Sequence, residues 1–455
     1  MTVDKALAFA QSHRSQWLDQ LRELVRIPTV STASEHAADM ARGAKWIADH
    51  LGKLGFSTEI APTSGHPIVL AEWVGAGKSA PTLLVYGHYD VQPPDPVEEW
   101  QSPPFEPTIR GENLFARGAS DMKGQLVAHL SAVEAMQSAG PLPVNIRYLV
   151  EGEEEIGSPN MQSFIEGNRD RLRCDVVLNL DSMILRPDLP SIVYGLRGLA
   201  YFELRVYGPS HDLHSGQFGG AIHNPAQALC ELLAGMHDND GRVTLPGFYD
   251  KVRALEPEER EALAQLPTKD EEVQNLTGAP RMWGEKGYTL VERIGARPTL
   301  EVNGLLSGFT GEGSKTVLPS KAMAKISMRL VPDQRPEEVH AQLLEYLREK
   351  VPPTVRCEVS TLAGGSAAIV RRNTAEMRAA VRALTETFGR SPVFTREGGS
   401  VHVVSVMQAL LGRESILMGF GLPDDNLHAP NEKLHLPNFY RGIECYIRFA
   451  YALVS

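Results

Sequence analysis

Thr82-Leu83-Leu84-Val85-Tyr86 is an apolar run that ends in Gly87-His88-Tyr89-Asp90. Two later stretches repeat the pattern. Val144-Asn145-Ile146-Arg147-Tyr148-Leu149-Val150 runs into Glu151-Gly152-Glu153-Glu154-Glu155, and Val176-Val177-Leu178-Asn179-Leu180 ends in Asp181. Continuous Val/Ile/Leu runs suit strands buried on both faces of a parallel sheet, where ligands bind beyond the carboxyl ends. The three runs therefore predict a histidine and several carboxylates at one sheet edge, as a hydrolytic metal centre requires.

Outward from these strands, the pattern alternates between helix and strand. A helical pattern ends before Ile27-Pro28, another covers roughly 37–54, and a third covers 123–139 and stops at Gly140-Pro141. Gly75-Ala76-Gly77-Lys78-Ser79 resembles a phosphate loop but lacks its first glycine and leads into a strand, so it reads as a hairpin turn. Beyond Gly195 the texture changes. Residues 200–207 and 321–331 alternate like half-buried strands, residues 225–235 and 336–350 read as helices, and the charged stretch 238–297 reads as surface elaboration. The expected fold is α/β, a mixed, mostly parallel sheet flanked by helices, with a smaller α+β domain inserted. The domain limits read as 1–196 plus 363–455 for the first and 197–362 for the insert.

Composition narrows the function classes. At 455 residues the chain is too long for one ordinary core. A net charge of −11 without a Lys/Arg-rich stretch argues against nucleic acid or an anionic membrane as partner. No apolar stretch approaches the ~18 residues of a membrane span. Four scattered cysteines without a Cys-x-x-Cys pair suit reduced thiols in a cytoplasmic protein.

Each candidate site residue has a bland reading beside the functional one. His88 and Asp90 lie two apart on an extended segment and project to one side, so the carboxylate can orient the imidazole of a metal ligand; His-x-Asp also arises by chance. Asp121 precedes a helix and could be its N-cap. Glu153-Glu154-Glu155 could be a solvated charge run, yet such runs seldom close a buried strand. One of these glutamates can ligate while a neighbour, its pKa raised by burial and like charge, acts as general base. Asp181 could be an exposed strand end and His428 an ordinary loop histidine. Their convergence on one sheet edge favours the metal reading.

At this point the chain resembles the M20 metallopeptidases, in particular the dipeptidase branch of cytosolic nonspecific dipeptidase and carnosinase-like enzymes. The matching pieces begin with Leu24-Val25-Arg26-Ile27-Pro28-Thr29-Val30-Ser31, Tyr86-Gly87-His88-Tyr89-Asp90-Val91-Gln92-Pro93 and Arg117-Gly118-Ala119-Ser120-Asp121-Met122-Lys123-Gly124. Glu151-Gly152-Glu153-Glu154-Glu155-Ile156-Gly157-Ser158, Asp212-Leu213-His214-Ser215-Gly216, Thr395-Arg396-Glu397-Gly398-Gly399-Ser400 and Asn426-Leu427-His428-Ala429-Pro430-Asn431-Glu432-Lys433 follow in the family's order.

The resemblance implies a zinc-peptidase-like catalytic domain with a lid and dimerisation insert. It implies two divalent ions, Zn²⁺, Mn²⁺ or Co²⁺, bridged by Asp121. His88 and Asp181 would complete one ion, Glu155 and His428 the other. Asp90 would buttress His88, Glu154 would be the base on a bridging water, and Glu153 would be a spare carboxylate. It implies a cis peptide at Asp121–Met122. On the insert it implies Arg329 as reader of the substrate's α-carboxylate, His214 reaching a partner subunit's site in a homodimer, and Gly398, Gly399 and Ser400 as a carboxylate cradle, with Asn303 a further pocket residue. One departure stands out. Animal dipeptidases carry His-Gly-Gly-Lys-Pro-Trp where this chain reads Ala363-Gly364-Gly365-Ser366-Ala367-Ala368, so their side-chain preferences do not transfer.

Three functional readings follow. The first is a dinuclear metal-dependent hydrolase of dipeptides or short peptides with a free C-terminal carboxylate. The second is an N-acyl-amino-acid deacylase or carboxypeptidase on the same scaffold. The third is a non-catalytic metal-binding protein, disfavoured because Glu154 is unnecessary for binding metal. No Gly-x-Ser-x-Gly occurs to support a serine hydrolase.

Overall fold

The computed structural model describes residues 2–399 and 401–455. The chain divides into two compact units, one of Met1–Tyr194, Val370–Phe394 and Val406–Ser455, the other of Gly195–Ile369 and Thr395–Ser405.

In the first unit the sheet runs, in order, Ser57–Ala61, Ile68–Trp73, Asn145–Glu151, Thr82–His88, Val176–Asn179, Ser415–Leu417 and Ser191–Leu196. Its centre is parallel, with Thr82–His88 between Asn145–Glu151 and Val176–Asn179, while the outer strands pair antiparallel. The central strands are buried on both faces, which is why they read as unbroken apolar runs. Register puts His88 opposite Glu151 and Tyr86 opposite Asn179, so the polar endings quoted above emerge along one edge. From Gly124 to Met136 every residue but Glu134 is buried, making the Gly124–Ala139 helix a central piece of the core. Glu134 accepts hydrogen bonds from Trp17 Nε1 at 3.2 Å and Gln16 Nε2 at 3.1 Å.

Two expectations are corrected. Gly75–Ser79 is not a hairpin turn, because Asn145–Glu151 lies between the strands it joins. Local sequence shows a turn but not which strand enters beside it. The stretch 238–297 is more than surface elaboration. It contains helices Pro257–Ala264, Asp270–Thr277 and Leu290–Gly295. It also contains a buried bidentate pair, Arg297 to Glu285 at 2.7 and 2.8 Å, with the Arg297 guanidinium over the Tyr288 ring.

The second unit holds an antiparallel sheet in the order Thr299–Ser307, Lys321–Leu330, Gly198–Tyr207, Arg356–Gly365. Alternate residues of its central strands, among them Phe202, Leu204, Ile326 and Met328, pack with Leu229 and Leu343 from helices Pro225–Ala234 and Pro336–Lys350. Period-two burial on one face explains the alternating sequence pattern there.

Among the described residues no helix is long and apolar enough to cross a membrane.

Candidate metal centre

His88 ends its strand fully buried. Its Nε2 lies 3.1 Å from Asp121 Oδ1, and its Nδ1 lies 3.1 Å from the Asp90 carbonyl oxygen and 3.4 Å from Asp90 Oδ1. With Nδ1 directed at these acceptors, Nε2 is turned into the site. Asp90 has a second task. Its Oδ1 accepts the Glu154 N–H at 3.2 Å and its Oδ2 accepts the Glu155 N–H at 3.0 Å, anchoring the Glu154–Ile156 turn.

Asp121 does not cap the following helix, which begins at Gly124 without a side-chain cap. Its carboxylate instead faces two imidazoles, His88 on Oδ1 and His428 Nε2 on Oδ2, each at 3.1 Å. The Asp121–Met122 peptide is cis. His428 Nε2 is also 3.2 Å from Glu155 Oε2, and Gln92 Nε2 donates to the same oxygen at 2.9 Å. Ligand atoms of His88, Asp121 and Asp181 lie within 4.8 Å of one another, as do those of Asp121, Glu155 and His428. Two groups of candidate ligands thus share Asp121. Imidazole and carboxylate donors of this kind fit first-row divalent ions.

The titration behaviour follows from crowding. Burial and the Asp121 charge push Asp181 up to about 7. Burial, with Asp181 and Glu155 nearby, raises Glu154 well above the usual range, although His88 works against it. Burial would also raise Asp121, but hydrogen bonds from His428 and His88 hold it well below the ordinary carboxylate value. His428, bonded to Asp121 and Glu155, is pushed up to about 10. Metal ligation by these groups would require their deprotonated forms, so protons would compete with a bound cation.

Glu153 faces elsewhere. It is buried and accepts the His66 N–H at 3.1 Å and Asn160 Nδ2 at 2.6 Å, a structural fixture behind the turn. Several residues without an assigned role in the sequence reading support the site. Glu151 accepts Tyr86 Oη at 2.7 Å and Ser158 Oγ at 2.9 Å, and burial pushes it up to about 7. Lys123 is buried with its Nζ on the Ile27 carbonyl at 2.7 Å, and burial lowers it to about 7. Glu432 and Asp425 are fully buried beside the 117–121 loop. For Glu432 the only sequence signal is charge inside a motif, because the groups it binds lie some 300 residues away; Asp425 joins the same distant loop through Ser120 Oγ at 2.7 Å.

The remaining candidates belong to the second unit. Arg329 is half-buried on the Lys321–Leu330 strand, opposite Leu199 and Thr299. Arg197 donates through Nε to the Gly398 carbonyl at 3.2 Å; burial and the Arg329 charge lower it to about 10. Gly399 is exposed. Asn303 is exposed at the register shift between Val302 and Gly304. His214 is exposed and accepts the Gly216 N–H on Nδ1 at 3.0 Å. Ser400 lies outside the described residues.

Comparison with known proteins shows what the chain is similar to. The chain is 31% identical to the Cys-Gly metallodipeptidase dug1 of Schizosaccharomyces pombe, over 100% of this chain and 99% of that protein. It is 30% identical to human Beta-Ala-His dipeptidase, over 98% and 92% respectively. Among solved structures, the M20 family metallo-carboxypeptidase Sso-CP2 from Sulfolobus solfataricus superposes with a TM-score of 0.87 at 33% identity, covering 96% of this chain and 99% of that one. The model of peptidase family M20/M25/M40 matches residues 84–452, a span that holds all three strand endings, the Asp121 loop and His428. With its candidate ligand groups gathered at the edge of a mixed sheet and this match over most of its length, the chain belongs to peptidase family M20/M25/M40 and is a metal-dependent hydrolase of peptide bonds.

Proposed function

We propose that this protein is a dinuclear metallodipeptidase, cleaving dipeptides or short peptides that carry a free C-terminal carboxylate. The observation that carries the reading is Asp121 presenting one oxygen to each of two imidazoles, with Glu154 beside it. His88, Asp121 and Asp181 would hold one Zn²⁺, Mn²⁺ or Co²⁺ ion, and Asp121, Glu155 and His428 the other. Such ions polarise a scissile carbonyl and lower the pKa of bound water. Glu154 takes the proton of the attacking water and returns it to the leaving amine. Asp90 keeps the His88 ring in register and holds the turn that presents Glu154 and Glu155.

On the second unit, Arg329 is proposed to receive the substrate carboxylate, since a guanidinium suits bidentate recognition. Gly399 and Ser400 would contribute to the same cradle, with Asn303 in the pocket. His214 is proposed to act in the partner subunit of a homodimer. Val302, Leu305 and Leu306 support that dimer. They are 47%, 56% and 56% exposed on Thr299–Ser307, an edge strand of its sheet, and exposed apolar edges favour pairing. The four cysteines are all unpaired, in keeping with a reducing, cytoplasmic setting.

The test is hydrolysis of a simple dipeptide by chelator-stripped protein before and after Mn²⁺ or Zn²⁺ is restored, with N-acetylated and C-amidated forms alongside. Metal-restored cleavage of the peptide with a free carboxylate, and none of the amide, is the expected result. Release of acetate without dipeptide cleavage would replace this reading with a deacylase.

A further inference from the structure

Glu432 accepts four hydrogen bonds in full burial. One oxygen takes the Ser120 and Asp121 N–H groups at 3.0 and 3.1 Å; the other takes the Gly118 N–H at 2.9 Å and Arg117 Nη1 at 2.8 Å. An ionised carboxylate has acceptors only, and these four donors match it without a leftover. The backbone on either side is tied to the same neighbourhood. The Glu432 carbonyl accepts the Ala116 N–H at 3.0 Å, and Lys433–His435 pairs antiparallel with Asn113–Phe115.

The segment that carries Glu432 also carries His428, four residues earlier. At the start of this segment, Asp425 Oδ2 accepts Ser120 Oγ at 2.7 Å, while Asp425 Oδ1 accepts Lys433 Nζ at 3.1 Å. His428 and Asn431 lie between these anchors with φ of 62° and 61°, a left-handed backbone uncommon for residues other than glycine and met most often at Asn, Asp and His. Two loops far apart in sequence, 117–121 and 425–433, are thereby locked into one body. One supplies Asp121, the other His428.

We propose that Glu432 is a positioning residue of the metal centre: by binding the backbone of the Arg117–Asp121 loop it sets where the Asp121 carboxylate lies relative to His428. A salt bridge serving stability alone would need only Arg117. Here two of the four donors are the N–H groups of Ser120 and of Asp121 itself, so displacement of Glu432 is felt at the shared ligand. The inference rests on Asp121 and His428 being metal ligands.

The experiment is calorimetric titration of chelator-stripped protein with Zn²⁺ and with Mn²⁺, alongside circular dichroism of the metal-free state and kcat and KM at saturating metal. Glu432→Gln places an amide N–H₂ against one pair of donors. It should fold, bind metal about 10–100-fold more weakly, as loss of a ligand-orienting partner typically does, and lower kcat with KM little changed. Glu432→Asp keeps the charge against Arg117 but is one methylene too short to serve both pairs. It should weaken metal binding about 10-fold or more on the same grounds and so tests the inference even if the Gln variant does not fold. Folded variants with wild-type metal affinity and only a lower melting temperature would reduce Glu432 to a structural ion-pair partner and overturn the proposal. Asp121→Asn separates the two levels. If it binds metal as the wild type does, the site reading itself fails; if it loses metal while both Glu432 variants keep it, only the positioning inference fails.

Discussion

Glu154 sits among Asp181, Glu155 and Asp121, and burial with like charge raises its carboxyl well above the usual range. A group in that position accepts a proton readily, and it is not a member of either ligand group. Glu154→Gln should therefore bind metal within a few-fold of wild type while turnover falls by about 10²–10⁴; metal titration and steady-state kinetics check both halves, and surviving activity would remove Glu154 from the base role. The neighbouring Asp181 makes a statement about pH. Raised to about 7 when folded, it gives the metal-free protein stability that is present below the unfolded carboxylate value and lost as pH rises through 7. His428, raised to about 10, acts in the same direction. In the proposed centre ligation needs both deprotonated, so protons compete with metal across this range. The rise in melting temperature caused by added Zn²⁺ or Mn²⁺ should accordingly be larger at pH 8 than at pH 5.5. His129, buried and lowered to about 3, shifts stability the opposite way, but it does so with and without metal and cancels from the difference. A metal-induced shift independent of pH would contradict the assignment of Asp181.

At the scale of elements, the centre depends on turns as much as on strands. Gly118 adopts φ of 79°, and a Cβ there would stand 2.5 Å from Val91 Cγ1. Both facts resist any side chain, and the turn leads directly to Asp121. Gly118→Ala should cost about 1–3 kcal/mol in urea unfolding and weaken metal binding as well, since Val91 follows Asp90 in the chain; an unchanged midpoint and affinity would show that this turn yields freely. Much at this scale was legible. The apolar runs at 82–86 and 144–150, the stop at Gly140-Pro141 and the proline-initiated helix at 336–350 are local signals, and the helices and strands formed where those signals lie. The strand Thr299–Ser307 was not legible, because its residues are mostly exposed and carry no clean alternation. The Asp121 capping alternative arose for a related reason: local sequence shows an aspartate before a helix but not the two imidazoles that claim its oxygens.

For the whole molecule, the exposed apolar residues of the Thr299–Ser307 edge bear on assembly. Paired replacement of Leu305 and Leu306 by Glu should convert the proposed dimer to monomer in light scattering after size exclusion, because charge on an edge strand opposes strand and surface pairing. If His214 serves the partner's site, the monomer should retain metal and lose activity. A wild-type protein that is monomeric and fully active would refute both points.

Sequence by itself determined the class of sheet, the order of its motifs and the chemical types delivered to its edge, since burial on both faces and strand-end polarity are written in neighbouring residues. Only the tertiary structure decided that Asn145–Glu151 enters between Ile68–Trp73 and Thr82–His88, that Asp90 holds the Glu154–Glu155 turn by two backbone hydrogen bonds, and that Glu432 grips the loop of Asp121. The physical reason is common to all three. Backbone N–H groups are the same at every residue, so a strand or a carboxylate that binds them leaves no complementary letter in the sequence, and its partner is known only when distant segments have met.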